Sequence, residues 1–234
     1  MVWVKICGTT NLEDAQASIA AGADALGFIF ATSKRRIEVS RAAEIIRALP
    51  PAVEKIGVFV NETPEQVAAV AAEAGLTGVQ LHGDEEAAAL ALFRRALPNA
   101  RIIKTLQVSD LRSTEGKLDE ILSASSWLDA VLLDAGSAAE RGGTGRPFDW
   151  AAAQPIVAAL RAKLPVIVAG GLTPDNVAEA IRQFAPFGVD VVSGVEREPG
   201  HKDPSKVARF LASAKGEFTT ETQRHGEEGK RGER

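Results

Sequence analysis

Val166-Ile167-Val168-Ala169-Gly170-Gly171-Leu172-Thr173-Pro174 holds an apolar run, a glycine pair and a helix start in one short stretch. The same order returns in Val189-Asp190-Val191-Val192-Ser193-Gly194. An apolar run without polar alternation reads as a parallel strand buried on both faces. Glycine just after such a strand lets backbone N–H groups approach an anion, and a following helix N-terminus adds favourable dipole charge. Working back from these two stretches, six more strands of the same kind appear at Val2–Cys7, Ala25–Phe30, Lys55–Val60, Gly78–Leu81, Arg101–Thr105 and Ala130–Leu133.

Ala-rich segments with helical spacing separate the strands. They fall at Asn11–Ala21, Ser40–Ala48, Thr63–Ala74, Asp84–Ala96, Asp110–Ser123, Trp150–Lys163 and Pro174–Phe184, with a last helix near Pro204–Ala214. Thr63-Pro64 followed by Gln66 predicts a capping box with proline at the first helical position, and Thr173-Pro174 predicts a similar start for the seventh helix. Gly22 and Gly75 stand where C-caps would fall. Eight strand–helix repeats in this length predict a single closed (β/α)8 TIM barrel, an α/β fold, over residues 1–215. An open doubly wound sheet would place one glycine-rich loop early, whereas here the glycine clusters come late. Residues 216–234 lack apolar periodicity and read as a disordered C-terminal tail.

Composition narrows the function. The 234 residues carry a net charge of -4, 45% hydrophobic and 25% charged side chains. An acidic balance and the absence of tyrosine argue against a nucleic-acid surface. No stretch reaches the roughly 20 apolar residues of a membrane span, and no basic region with a long apolar run marks a signal peptide. The single cysteine excludes an internal disulfide and fits a reducing, cytoplasmic setting. His82, His201 and His225 have no partners at ligand spacing, so no metal site emerges. Walker, Rossmann and serine-hydrolase signatures are absent as well.

A barrel of this kind keeps its reacting groups at the C-terminal ends of the strands. Cys7 ends the first strand, Asp134 ends the sixth, and Asp190 lies in the eighth. Arg35 and Arg36 follow the second. Gly170, Gly171, Ser193 and Gly194 follow strands seven and eight, where barrels bind phosphate with help from a short extra helix. His82 ends strand four on the same rim; a structural hydrogen bond is its commoner role.

These residues resemble the phosphoribosylanthranilate isomerase family. The resemblance rests on Lys5-Ile6-Cys7-Gly8 with Thr10-Asn11, Gly57-Val58-Phe59-Val60-Asn61, Val79-Gln80-Leu81-His82-Gly83, Leu132-Leu133-Asp134, Gly142-Gly143-Thr144-Gly145 with Phe148-Asp149-Trp150, Ala169-Gly170-Gly171-Leu172, and Asp190 through Glu196. It runs from about Val2 to Ala214 in the family's order. It implies a cofactor-free Amadori rearrangement of a phosphorylated sugar substrate in tryptophan biosynthesis. The aspartate matching Asp134 acts as general acid and the cysteine matching Cys7 as general base, with a thiol pKa that nearby cations are expected to lower. Arg35 is the better match for the anthranilate carboxylate, with Arg36 the alternative. Asp190 matches a substrate-holding residue. The phosphate is expected between Gly170-Gly171 and Ser193-Gly194 at the start of the last helix, with Gly143 and Gly145 closing over the sugar. Glu38-Val39-Ser40 reads as an insertion before the second helix.

The rivals are weaker. A sister isomerase of histidine biosynthesis would carry aspartate in place of Cys7 and a repeated phosphate site. An indole-forming synthase would need a lysine acid at the barrel mouth. A non-catalytic sugar-phosphate binder would not need both Cys7 and Asp134. The expected partner is therefore a small phosphorylated sugar, with no nucleic acid, membrane or metal, in a monomer or homodimer.

Overall fold

A computed structural model describes residues 1–108, 111–134 and 150–216. Eight strands close into a parallel barrel in sequence order, β1 (Trp3–Cys7), β2 (Ala25–Ile29), β3 (Glu54–Phe59), β4 (Gly78–Leu81), β5 (Arg101–Gln107), β6 (Ala130–Asp134), β7 (Val166–Val168) and β8 (Gly188–Val191). Lys5 of β1 lies opposite Ala25 of β2 and Asp190 of β8, which closes the ring. The helices are α1 (Leu12–Ala20), α2 (Val39–Arg47), α3 (Pro64–Ala74), α4 (Ala87–Ala96), α5 (Leu111–Ser123), α6 (Trp150–Arg161), α7 (Val177–Phe184) and α8 (Pro204–Lys215). The barrel expected from the sequence is the fold observed.

Alternation along the strands divides the core in two. Val4, Ile6, Leu26, Phe28, Val79, Leu81, Val131 and Leu133 point outward into the layer shared with the helices. Trp3, Ala25, Ile56, Ile103, Leu132 and Ile167 fill the lumen. Trp3 also helps plug the lower end: its Nε1 donates to Glu54 at 3.0 Å, Glu54 pairs with Arg101 at 3.0 Å, and the Arg101 guanidinium lies 5.7 Å from the Trp3 and Phe187 rings. With this end sealed by packing, access to the lumen is from the C-terminal rim.

Local signals explain most helix ends. Thr63 and Gln66 form the capping box at the start of α3, and left-handed Gly75 caps its end at φ 75°. Gly22 instead stands one residue past the C-cap of α1, which is Ala21. Two expectations shift. Helix α7 begins at Val177, not Pro174, because Asn176 turns back: its Oδ1 accepts from Thr173 N at 2.8 Å and its Nδ2 donates to Gly171 O at 3.0 Å. Residues 173–176 thus brace the glycine loop as a turn. The expected insertion at 38–40 is not an extra loop, since Glu38 is the N-cap of α2 and Val39 and Ser40 form its first turn.

Between β8 and α8 the chain makes a 3-10 turn, Ser193–Val195, and an antiparallel hairpin of β9 (Glu196–Glu198) and β10 (His201–Lys202). The last helix therefore follows the hairpin, and its start lies against the 3-10 turn, where Asp203 N donates to Val195 O at 2.9 Å. Gly216 caps α8 in the left-handed conformation. The tail expected to be disordered, and Gly143 and Gly145, lie outside the described residues apart from Gly216.

Candidate active site

A cavity of about 330 Å³ opens at the C-terminal rim. Cys7, Arg35, Asp134, Gly170, Gly171, Asp190, Ser193 and Gly194 all line it. Arg36 does not. It lies beside an outer groove between the β2–α2 loop and α3, 3.6 Å from Glu38.

Cys7 and Asp134 reach the cavity because each occupies an inward position at the last residue of its strand. β1 and β6 stand three strands apart around the ring (through β8 and β7), so thiol and carboxyl approach the same space from different sides. Both are buried. Beneath Cys7, two residues down the strand, Lys5 also points inward and is fully buried. Its Nζ donates to Asp190 Oδ1 at 2.8 Å and to Gln80 Oε1 at 2.7 Å. Burial alone would lower the Lys5 pKa, but Asp190 and Cys7 outweigh it and raise it above the ordinary 10.5.

The thiol behaves differently from the sequence expectation. Burial pushes Cys7 up from its ordinary 9.0; the charge of Lys5 opposes this, Asp190 adds to it, and Lys202 opposes it less. Desolvation wins over the nearby cations, so at neutral pH Cys7 is a neutral thiol. Lys202 anchors the same corner. Its Nζ donates to Cys7 O at 2.5 Å and to Glu196 Oε1 at 3.2 Å.

Arg35 is gripped from behind. Its Nε lies 2.8 and 3.0 Å from the two Glu196 carboxylate oxygens, and its Nη2 donates to Oε2 at 2.7 Å. Burial works against ionisation of Glu196, yet the Arg35 hydrogen bonds, the Lys202 charge and the Gly200 N–H hold its carboxyl below the usual 4.5. A guanidinium fork held along one edge keeps donors for a second planar carboxylate.

The loops after β7 and β8 touch. Gly170 and Gly171 both have left-handed backbones, at φ 84° and 67°. A Cβ on Gly194 would sit 1.9 Å from Leu172 O, so only glycine allows this approach. A lining of bare backbone at this place suits an anion.

Sequence reasoning passed over Lys5, Gln80, Glu196 and Lys202 and kept His82 out of the reacting set. Period-two spacing held the signal for three of them: Lys5 precedes Cys7 by two positions, and Gln80 precedes His82 by two, so each pair shares an inward face. Glu196 and Lys202 carried no such signal, because their partners Arg35 and Cys7 are each over 150 residues away. Among the described residues, no group of three or more His, Cys, Asp or Glu could hold a metal ion, and no helix is long and apolar enough to cross a membrane.

A closed barrel with a thiol, a carboxyl, a braced arginine and a glycine-lined anion pocket at its C-terminal rim defines an acid–base barrel enzyme for a small anionic substrate. Comparison with known proteins narrows the class. The family model for N-(5'-phosphoribosyl)anthranilate (PRA) isomerase matches residues 4–213, and the chain belongs to that family. The N-(5'-phosphoribosyl)anthranilate isomerase of Pelobacter propionicus is 47% identical over 216 residues, covering 92% of this chain and 96% of its own. The enzyme of Geotalea uraniireducens is 48% identical over 217 residues, covering 92% and 100%. Among solved structures, phosphoribosyl anthranilate isomerase of Thermotoga maritima superposes with a TM-score of 0.80 at 42% identity, covering 92% of this chain and all of that one. A phosphoribosyl anthranilate isomerase in complex with reduced 1-(o-carboxyphenylamino)-1-deoxyribulose 5-phosphate superposes at 0.77 with 41% identity over the same shares.

Proposed function

We propose that this chain converts N-(5-phospho-β-D-ribosyl)anthranilate to 1-(2-carboxyphenylamino)-1-deoxy-D-ribulose 5-phosphate, with Asp134 as general acid and Cys7 as general base. The overall reaction is that of its family, an isomerisation in tryptophan biosynthesis. The observation that carries the residue assignment is one cavity lined by both groups, by Arg35 and by the two glycine loops.

Asp134 gives its proton to the furanose ring oxygen as the C1–O bond breaks, and the anilino nitrogen lone pair forms the C1=N bond. The Cys7 thiolate then takes the proton from C2. That bonding pair becomes C1=C2, and the C=N π pair returns to nitrogen. The enolamine loses its C2 hydroxyl proton and gains one at C1, which gives the amino-ketone. Ring-oxygen protonation falls to Asp134 and C2 deprotonation to Cys7, and the chemistry needs no cofactor. Each turnover leaves Cys7 protonated and Asp134 ionised, so a proton must pass back from the thiol to the carboxylate before the next one. Lys5 is the counter-charge that makes the thiolate reachable despite its burial.

Arg35 binds the anthranilate carboxylate, Asp190 helps hold the sugar, and Gly170, Gly171, Ser193 and Gly194 take the phosphate through backbone N–H groups. Gly143 and Gly145 close over the sugar. Residues 1–215 form the catalytic domain, and the enzyme works as a monomer or homodimer. Mutually generated monomers of the dimeric phosphoribosylanthranilate isomerase of Thermotoga maritima, a protein 40% identical, have been solved.

The test is steady-state turnover followed by loss of anthranilate fluorescence. Cys7→Ser is expected to lower kcat by roughly 100-fold or more, and Asp134→Asn to lower kcat far more than it raises KM. A Cys7→Ser enzyme that keeps more than about a tenth of wild-type kcat removes the thiol from the base role.

A further inference from the structure

Gln80 sits on β4 between buried polar groups whose donors and acceptors leave it one arrangement. Lys5 Nζ donates to Gln80 Oε1 at 2.7 Å. An ammonium has no acceptor, so the amide oxygen must face Lys5 and the amide nitrogen must face the other way. That nitrogen lies 2.9 Å from His82 Nδ1 and 3.2 Å from Thr105 Oγ1. An amide N–H only donates, so Nδ1 is the acceptor and the imidazole proton is on Nε2. Nε2 in turn stands 3.4 Å from Asp134 Oδ2. The chain of contacts starts from the ion pair of Asp190 on β8 with Lys5 on β1. It passes through Gln80 on β4 and ends at Asp134 on β6, so it spans the barrel mouth.

We infer that His82 is a positioning residue for the general acid: its Nε2–H, set by Gln80 and Lys5, is aimed at the Asp134 carboxyl and stabilises the carboxylate that forms as the proton leaves. The inference rests on the assignment of Asp134 as the acid. A spacing of 3.4 Å is long for a hydrogen bond. Charge developing on Asp134 draws the donor in, because an N–H to an anionic oxygen is shorter and stronger than one to a neutral carboxyl. A contact that tightens only as the proton moves lowers the barrier without tightening substrate binding. The bland alternative is a histidine that merely satisfies a core hydrogen bond, which would leave kcat indifferent to which nitrogen carries the proton.

Two measurements decide it. Nitrogen NMR of the imidazoles, with the His82 signals assigned by their loss in His82→Gln, is expected to show Nε2–H with Nδ1 bare in the resting enzyme. Gln80→Met is expected to abolish that preference. In kinetics, His82→Leu should lower kcat roughly 10- to 100-fold with KM within about twofold, and His82→Gln, which restores an N–H donor toward Asp134, should recover most of the loss. Wild-type His82 found as Nδ1–H or as imidazolium at neutral pH overturns the inference, and so do equal kcat values for folded Leu and Gln variants. If His82→Leu does not fold, the tautomer and the kcat of His82→Gln against Gln80→Met decide the matter. The NMR result stands apart from the acid assignment: an Asp134→Asn enzyme with full kcat would remove that assignment while leaving the tautomer as measured.

Discussion

Arg35 and Arg36 are adjacent in the chain, yet they face different spaces. Arg35 lines the cavity with its rear edge bound to Glu196, while Arg36 lies by the outer groove and pairs loosely with exposed Glu38. Carboxylate recognition is present in substrate and transition state alike, so its loss falls on KM. Arg35→Ala is expected to raise KM about tenfold or more at nearly unchanged kcat, and Arg36→Ala to stay within about twofold on both. Steady-state kinetics of the two variants checks this; the reverse order would move the carboxylate site into the outer groove. Position after the second strand singled out both arginines, and the family resemblance made Arg35 the better match with Arg36 the alternative. Neither offered a sign of Glu196, the group that decides which way the fork points.

At the scale of elements, the close fit of β1 against β2 sets the thiol. Gly27 pairs with Cys7 across the two strands, and a Cβ there would lie 2.4 Å from Cys7 Sγ and 3.0 Å from Cys7 Cα. Gly27→Ala is expected to displace the thiol and lower kcat by roughly tenfold or more, since about 1 Å of misplacement is costly. The melting temperature should fall only modestly. Unchanged kcat in the folded variant would show that the thiol position is not critical. The eight strands and the capped helices were legible because apolar runs and caps are local signals. The β9–β10 hairpin was not. Glu196-Arg197-Glu198-Pro199-Gly200-His201-Lys202 has no apolar alternation, and two of its charged residues are buried only because Arg35 and Cys7 arrive from elsewhere.

Taken as a whole molecule, the protein owes part of its pH range to these buried groups. Glu196 is depressed below 4.5, so its stabilising contribution is fully present above that value and is lost as pH falls through its lower folded pKa. Cys7 is raised above 9.0, so its contribution is complete below that value and is lost as pH rises through its higher folded pKa. Lys5, raised above 10.5, acts in the same sense on the alkaline side. Lys104 and Lys202, both lowered from 10.5 chiefly by burial, oppose it there. The acid limb is therefore the cleaner test. Glu196→Gln should melt below wild type near about pH 7, and the gap should narrow as pH falls below 4.5 and through the lower folded pKa of Glu196. A gap independent of pH would mean that the ionised Glu196 pairs add nothing to stability.

The sequence by itself determined the (β/α)8 barrel, the family and the residues at the strand ends, because strand period, capping and motif spacing are written over a few neighbouring positions. The choice of Arg35 over Arg36 as the cavity residue, the burial that keeps Cys7 a neutral thiol, and the contacts from Asp190 through Lys5, Gln80 and His82 to Asp134 were decided only by the tertiary structure. Each depends on a partner brought from a distant strand or loop. Desolvation, moreover, is a property of the closed lumen and not of any segment of the chain.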